Sequence, residues 1–301
     1  MPVVWRLIDG KAGHERQTAG FTKALSHLYS CEIIDIAAPD IPTIRGLLFN
    51  RFPKVPSSPP DIIVGAGRLC EIAMLALNRT FGGRTIYFMR PRLPTRLFDL
   101  CVIPRHDQPA AAPHVMITEG VVNDLQPTSP KVANSGVILI GGPSKHHRWH
   151  EQNLLEQVNQ LITHNTHIRF KLTPSRRTPV STQNALRRLK GIDFFGLEAI
   201  SQQWLPKTLA ESEIAWVTKD SISMIYEALS CGAKVGLLDV PIKREDRISR
   251  VADDLEKKAM VTNFAAWESN FEMHDSPTLA EAERVARWVS ERWRLTGESH
   301  S

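Results

Sequence analysis

Asp9-Gly10-Lys11-Ala12-Gly13-His14-Glu15 sets a histidine between two carboxylates, in a glycine-punctuated turn that directly follows an apolar run, Val3 to Ile8. Glycine lets a backbone turn tightly and approach a ligand. A helix starting here presents free N–H groups and a positive dipole end. Histidine is the side chain suited to take a proton near neutral pH. Two readings stand. In one, His14 is a general base at the lip of a sheet, where open α/β folds bind ligands, and Asp9, Gly10 and Gly13 line a cleft. In the other, the glycines only turn the chain, His14 braces the loop and Asp9 closes an Asx turn. Gly65-Ala66-Gly67-Arg68 repeats the pattern after another apolar run. Gly65 and Gly67 are expected to line the same cleft; the alternative is a tight turn with a solvated arginine.

Three further turns carry groups suited to an anion. Gly141-Gly142-Pro143-Ser144-Lys145-His146-His147-Arg148-Trp149 lacks the spacing of a Walker loop. Its adjacent histidines do not face one way along a helix, so they do not pair on a metal. Gly141 and Gly142 admit a close ligand, Ser144 can donate to a phosphate oxygen, and Lys145 adds charge. Cations are unfavourable at a helix N-terminus, so their density here points to an anionic ligand that offsets the repulsion. Thr173-Pro174-Ser175-Arg176-Arg177-Thr178-Pro179 places two arginines side by side, suited to bidentate phosphate binding or to a solvated loop. In Thr218 to Glu227, Asp220 or Ser221 can cap a helix, and Ser223 and Glu227 share one of its faces. Glu227 there either accepts sugar hydroxyls or is a surface carboxylate.

These turns need elements to hold them. Apolar runs at Val3–Ile8, 31–36, 61–64, 85–89 and 99–103 read as strands, with helices over 16–29 and 69–77 between them. A proline-rich stretch, Pro53 to Pro60, precedes the third strand, and Gln126 to Lys131 is the best linker. The alternation then restarts, with strands at 137–140, 168–172, 214–217 and 235–238 and helices at 149–162, 182–189 and 221–229. A last helix is expected to start at Ser276 as cap and Pro277, with Ala282, Val285, Ala286, Val289 and Trp293 as its apolar stripe. Strands alternating with helices predict an α/β fold of two doubly wound Rossmann-like domains facing a cleft. The domains are 1–128, and 129–301 with a final helix that crosses back.

At 301 residues, the length is that of two domains at about 150 each. The chain is 42% hydrophobic and 23% charged, with a net charge of +5; this excludes a disordered chain, a collagen and a disulfide miniprotein. The charge fits an anionic small molecule or surface and is too diffuse to argue for nucleic acid. Cys31, Cys70, Cys101 and Cys231 form no C-x-x-C pair, which points to buried thiols in a reducing compartment. The short apolar start and the lack of any stretch near 18 apolar residues predict a cytoplasmic protein, with peripheral contact at the inner membrane left open.

Taken in order, the motifs at 9–15, 141–149, 173–179 and 220–224 closely resemble the Elm-type mitochondrial-fission family of plants and many proteobacteria. The likeness takes in Pro94 to Asp99 and runs from Trp5 to about Pro241. The chain is more remotely similar to the GT-B glycosyltransferases, above all the enzyme that adds GlcNAc to the lipid-linked peptidoglycan precursor. That enzyme's Gly-Gly-His turn is matched by Gly13-His14, with Ala12 departing from it. Its Ser-rich helix start, ribose-holding Glu and following Ala and Gly are echoed by Ser221, Ser223, Glu227, Ala228 and Gly232. Its later Pro and Asp-Arg are echoed by Pro241 and Asp246-Arg247. Its Gly-Gly-Ser loop becomes Gly141-Gly142-Pro143-Ser144, one residue longer.

The resemblance implies an inverting glycosyltransferase acting on a nucleotide diphosphate sugar and an envelope glycan or lipid-linked acceptor. His14 would take the acceptor proton. Gly141, Gly142, Ser144, Lys145, Arg176, Arg177, Ser221, Ser223 and Glu227 would hold the donor, with no metal and no other cofactor. The rivals are a non-catalytic interaction protein of the fission family and a sugar-nucleotide 2-epimerase, which shares the fold.

Overall fold

The first strand, β1 (Val3–Ile8), lies between β2 (Glu32–Ala37) and β3 (Ile62–Ala66), pairing parallel with both. A computed structural model describes residues 1–41, 55–293 and 295 of the chain. Pro53, where the proline-rich stretch begins, lies outside them. β4 (Arg84–Phe88), β5 (Leu100–Pro104) and β6 (Val115–Thr118) complete a parallel sheet of order β2-β1-β3-β4-β5-β6. All five residues of β3 are buried, the continuous apolar run of a strand covered on both faces. One face carries α1 (Ala12–Leu28), whose Phe21 and Leu25 meet Val64, Ile86 and Phe88. The other carries α2 (Arg68–Phe81), with Cys70, Ala73, Met74 and Leu77 against Trp5, Ile63 and Tyr87.

The second sheet has the order β12-β11-β10-β7-β8-β9, again all parallel. Its strands are β7 (Val132–Ile140), β8 (Arg169–Pro174), β9 (Ile192–Phe194), β10 (Ser212–Thr218), β11 (Lys234–Leu238) and β12 (Thr262–Asn263). The helices between them are α3 (Glu151–His164), α4 (Val180–Arg187), α5 (Trp204–Glu211), α6 (Ile222–Ser230), α7 (Val251–Lys257) and α8 (Phe264–Asn270). Trp216, Phe264 and Trp267 anchor the core under α3 and α8.

Two units result, Met1–Asp124 with Ala280–Ser301, and Leu125–Leu279; the expected boundary stood at 128/129. The final helix, α9 (Glu281–Trp293), belongs to the first unit. Its stripe Ala282, Val285, Ala286 and Val289 is buried beside α1, each valine contributing about 1.5–3 kcal/mol. The Tyr29 hydroxyl meets Ser290 Oγ at 2.6 Å, Arg284 Nη2 donates to the Ile117 carbonyl at 2.7 Å, and Glu281 accepts from the Glu119 N–H at 2.9 Å. The expected start at Ser276 and Pro277 is corrected: Ser276 Oγ instead accepts from the Val235 N–H at 2.9 Å, tying the segment to β11.

All four cysteines are free thiols. Burial pushes Cys70 and Cys101 up to about 12, so neither is a thiolate nucleophile at neutral pH. Among the described residues no helix is long and apolar enough to cross a membrane.

Candidate functional site

Each sheet reverses its winding once, between β1 and β3 in the first unit and between β7 and β10 in the second. Open α/β sheets bind ligands at such a point, outside the carboxyl ends of the strands. The residues singled out above gather at these two places.

In the first unit, the chain leaves β1 at Asp9 and enters α1 through Lys11. The Asp9 side chain is fully buried. Its Oδ2 lies 2.8 Å from His14 Nδ1 and its Oδ1 accepts from the Lys11 N–H at 3.1 Å. The Gly10 N–H donates to Glu15 Oε1 at 2.9 Å. A carboxylate facing Nδ1 fixes the tautomer with the proton there, which leaves Nε2 as the basic nitrogen. Nε2 has no partner among the described residues, and the ring is 20% exposed. Gly67 closes the arrangement from β3. Its φ is +85°, and a Cβ there would sit 2.1 Å from His14 Nδ1 and 2.7 Å from Asp9 Oδ2, so any side chain would displace the pair. Gly10 and Gly13 are exposed beside the turn. Gly65 is a correction: it is buried, and a Cβ would meet Met74 Cε at 2.9 Å and Cys70 Cβ at 3.0 Å. It seats α2 on the sheet and lines no surface.

In the second unit, three loops are tied at one carboxylate. Asp220, following β10, has a fully buried side chain. Its Oδ2 accepts from the Gly142 N–H at 3.0 Å and from Arg177 Nη2 at 2.7 Å. Arg177 Nη1 donates to the Gly142 carbonyl at 2.7 Å, the Gly141 N–H to Thr218 Oγ1 at 2.7 Å, and Thr178 Oγ1 to the Ile140 carbonyl at 3.1 Å. Asp220 Oδ1 is buried with no partner. The room beside the glycine pair, expected to admit a ligand, is taken by the protein. A Cβ on Gly141 would lie 2.3 Å from Asp220 Oδ2, and one on Gly142 would lie 2.3 Å from the Arg177 carbonyl oxygen.

The remaining donor candidates divide by their contacts. Ser144 Oγ accepts from the His146 and His147 N–H groups at 3.1 and 3.0 Å, holding the turn. Lys145 and Arg176 are exposed and have no partner among the described residues. Arg177 is engaged by Asp220 and Gly142, which makes it a tie between loops. Ser221 sits at the N-cap of α6 without a side-chain cap bond, so neither it nor Asp220 caps the helix and the first-turn amides stay available. Ser223, exposed, and Glu227, half-buried, lie one turn apart on α6.

The 141–149 loop is zipped to the segment after β11. The Arg148 N–H donates to the Pro241 carbonyl and the Lys243 N–H to the His146 carbonyl, both at 2.8 Å, and His146 Nδ1 meets Asp246 Oδ2 at 2.6 Å. A cavity of about 310 Å3 adjoins the zipper, lined by His147, Lys219, Asp239 and Asp253 among others. Asp220 and His147 are the residues that sequence reasoning underrated. The signal for Asp220 was a carboxylate two residues past a buried strand, and its partners lie in other loops.

His147 is 3% exposed and its Nδ1 has no partner. Burial lowers the imidazole below 6.5; Asp220 and Asp246 oppose this, while His146 and Arg177 add to it. The unfolded chain therefore takes this proton first. The contribution is full above the unfolded value and is lost as the pH falls through it towards the lower folded value. His147→Gln is expected to flatten the loss of stability from about pH 6.5 downward, read from urea midpoints at several pH values. An unchanged slope in the variant would assign that loss to other groups.

Comparison with known proteins bears on the fold and the family. The chain is 21% identical over 352 residues to an uncharacterized protein of Rickettsia prowazekii, covering 95% of this chain and 97% of that one. In structure it is similar to MurG of Acinetobacter baumannii, at 12% identity and TM-score 0.53, over 97% of this chain and 100% of that one. It is also similar to a UDP-GlcNAc 2-epimerase of Neisseria meningitidis solved with UDP-GlcNAc, at 13% identity and TM-score 0.51, over 98% and 100%. The fold is thus that of the GT-B glycosyltransferases and sugar-nucleotide epimerases. The family model described as mitochondrial fission ELM1 matches residues 12–293, a span holding His14 and all three tied loops, and the chain belongs to that family.

Proposed function

We propose that this chain is an inverting, metal-independent glycosyltransferase that takes a nucleotide diphosphate sugar as donor and an envelope glycan or lipid-linked hydroxyl as acceptor. The observation that carries the reading is the rim tied by Asp220, which leaves Lys145 and Arg176 unpartnered beside the uncapped N-terminus of α6. Cations and free amides there suit a diphosphate, whose charge grows as the sugar leaves. Arg177, Gly141 and Gly142 position the rim. Ser221, Ser223 and Glu227 would face the ribose and sugar hydroxyls. His14, held by Asp9, would take the proton of the attacking hydroxyl at Nε2. The protein would work in the cytoplasm, in peripheral contact with the inner membrane that presents a lipid-linked acceptor.

Calorimetric titration of UDP into the full chain tests the donor reading. UDP is expected to bind, and Glu227→Ala to weaken it by about 1–3 kcal/mol through loss of a charged hydrogen bond, with little change in melting temperature. Equal UDP affinity in the variant would remove the ribose role. No UDP binding by the wild-type chain would overturn the donor site and favour the interaction-protein reading.

A further inference from the structure

The far end of the second sheet holds a cavity of about 480 Å3, a volume that accommodates a small molecule. It opens at the amino ends of β7, β8 and β10, lined by Asn134, His167, Arg169, Lys171, Thr208 and Glu211 among others. β8 spans Arg169–Pro174, so at roughly 3.3 Å per residue the cavity-lining Arg169 and Lys171 lie about 16 Å and about 10 Å from the Pro174 end that leads into the arginine loop. None of the donor candidates lines it. The pairing of β10 with β7 shifts register between Ser212 and Ile214, and Asn134 takes a φ of +57°. This irregularity splays the strand ends and makes the space.

Its cationic side chains lack partners. Arg169 and Lys171 alternate along β8 and so share a face, with Lys171 half-buried. Neither their side chains nor that of His167 has a hydrogen bond or ion pair among the described residues. Thr208 is 4% exposed. Two other helical threonines return the hydroxyl to the carbonyl one turn back, Thr80 to Ala76 at 3.1 Å and Thr163 to Asn159 at 2.8 Å. The Thr208 hydroxyl makes no such bond, and Thr208 lines the cavity. Behind the wall, Lys131 Nζ is held by main-chain carbonyls alone, those of Ala210, at 2.7 Å, and Cys231. The carboxylate that lines the space, Glu211, is shared with Lys207 at 3.7 Å. Glu213 nearby accepts from the Asn134 N–H at 2.7 Å. Cations exceed carboxylates around a pocket that also offers an unpartnered hydroxyl donor.

We infer that this cavity binds a phosphate dianion, gripped by Arg169 and Lys171 and hydrogen-bonded by the Thr208 hydroxyl. The volume leaves room for a small organic group carrying it. Phosphate suits the donor set because arginine, lysine and hydroxyl groups can all donate to its unprotonated oxygens, which only accept. The site is independent of the nucleotide-sugar reading.

The test is calorimetric titration of the full chain, at low ionic strength, with inorganic phosphate and separately with glycerol 3-phosphate. Binding is expected. Arg169→Ala/Lys171→Ala should weaken it at least about tenfold, through loss of charge-assisted hydrogen bonds. Thr208→Val, which keeps the side-chain shape, should weaken it severalfold without lowering the melting temperature. Stronger binding of glycerol 3-phosphate assigns the site to a phosphomonoester, and equal binding assigns it to free phosphate; both support the site. No binding up to about 10 mM, or undiminished binding by Arg169→Ala/Lys171→Ala, overturns it. UDP titration of the same double variant separates the two proposals. UDP binding retained while phosphate binding is lost supports both sites, whereas phosphate binding without UDP binding in the wild-type chain overturns the donor reading alone.

Discussion

His14→Ala is expected to lower turnover of the sugar nucleotide by about 10²–10⁴-fold, the usual contribution of a general base. UDP affinity should hardly move, because every residue proposed to touch the nucleotide belongs to the second unit. The size of the effect follows from the Asp9 contact. A buried carboxylate 2.8 Å from Nδ1 holds one tautomer and stabilises the imidazolium that forms when Nε2 takes a proton. Asp9→Asn keeps the size of that side chain and removes its charge, so it should lose activity too. A bracing role for His14 predicts another pattern, in which melting temperature and turnover fall together. Measuring melting temperature, UDP affinity and release of UDP from a sugar nucleotide on one His14→Ala sample separates these outcomes. A stable, fully active variant would remove the base.

The sequence reading succeeds where a local signal is also the global one. β1, β3, β5 and β11 are buried parallel strands, so they are continuous apolar runs whatever surrounds them, and the glycine turns after β1 and β3 mark where helices begin. It misses β6 and β9, which are four and three residues long and too short to show a period. It misses α5, whose Pro206 breaks a helical pattern although proline is tolerated in a first turn. Ser276 and Pro277 make a sound local helix start, yet Ser276 is recruited by β11 and the helix begins later. The site divides in the same way. His14 and its neighbours were legible as chemistry because they are contiguous. That Gly67 gives up its side chain to make room for them was not, since the contact spans two strand ends. Gly141 and Gly142 signalled a close approach without saying what approaches.

Asp220→Ala should have the largest effect on the second unit, in stability and UDP affinity together. The carboxylate joins the Gly142 N–H and Arg177, and through them the loops after β7, β8 and β10. Truncation leaves the Gly142 N–H, in a buried residue, without an acceptor, which costs about 1–3 kcal/mol. Arg177 adds little to that sum, because its side chain is 41% exposed and water replaces much of the lost partner. The cost to binding has another origin. With Arg177 released, the loop carrying Arg176 is no longer pinned to Gly142, and rigidity lost there must be regained when a ligand binds. Asp220→Asn discriminates between charge and geometry. Its amide oxygen can still accept from Gly142 and Arg177, and its NH2 takes the place of Oδ1, an atom that has no partner in the wild-type protein. It should therefore melt near the wild-type temperature and keep most of the UDP affinity that Asp220→Ala loses. Equal losses in both variants, by calorimetry and thermal melting, would assign the role to the negative charge. Wild-type behaviour of Asp220→Ala would show that the three loops hold their places without it.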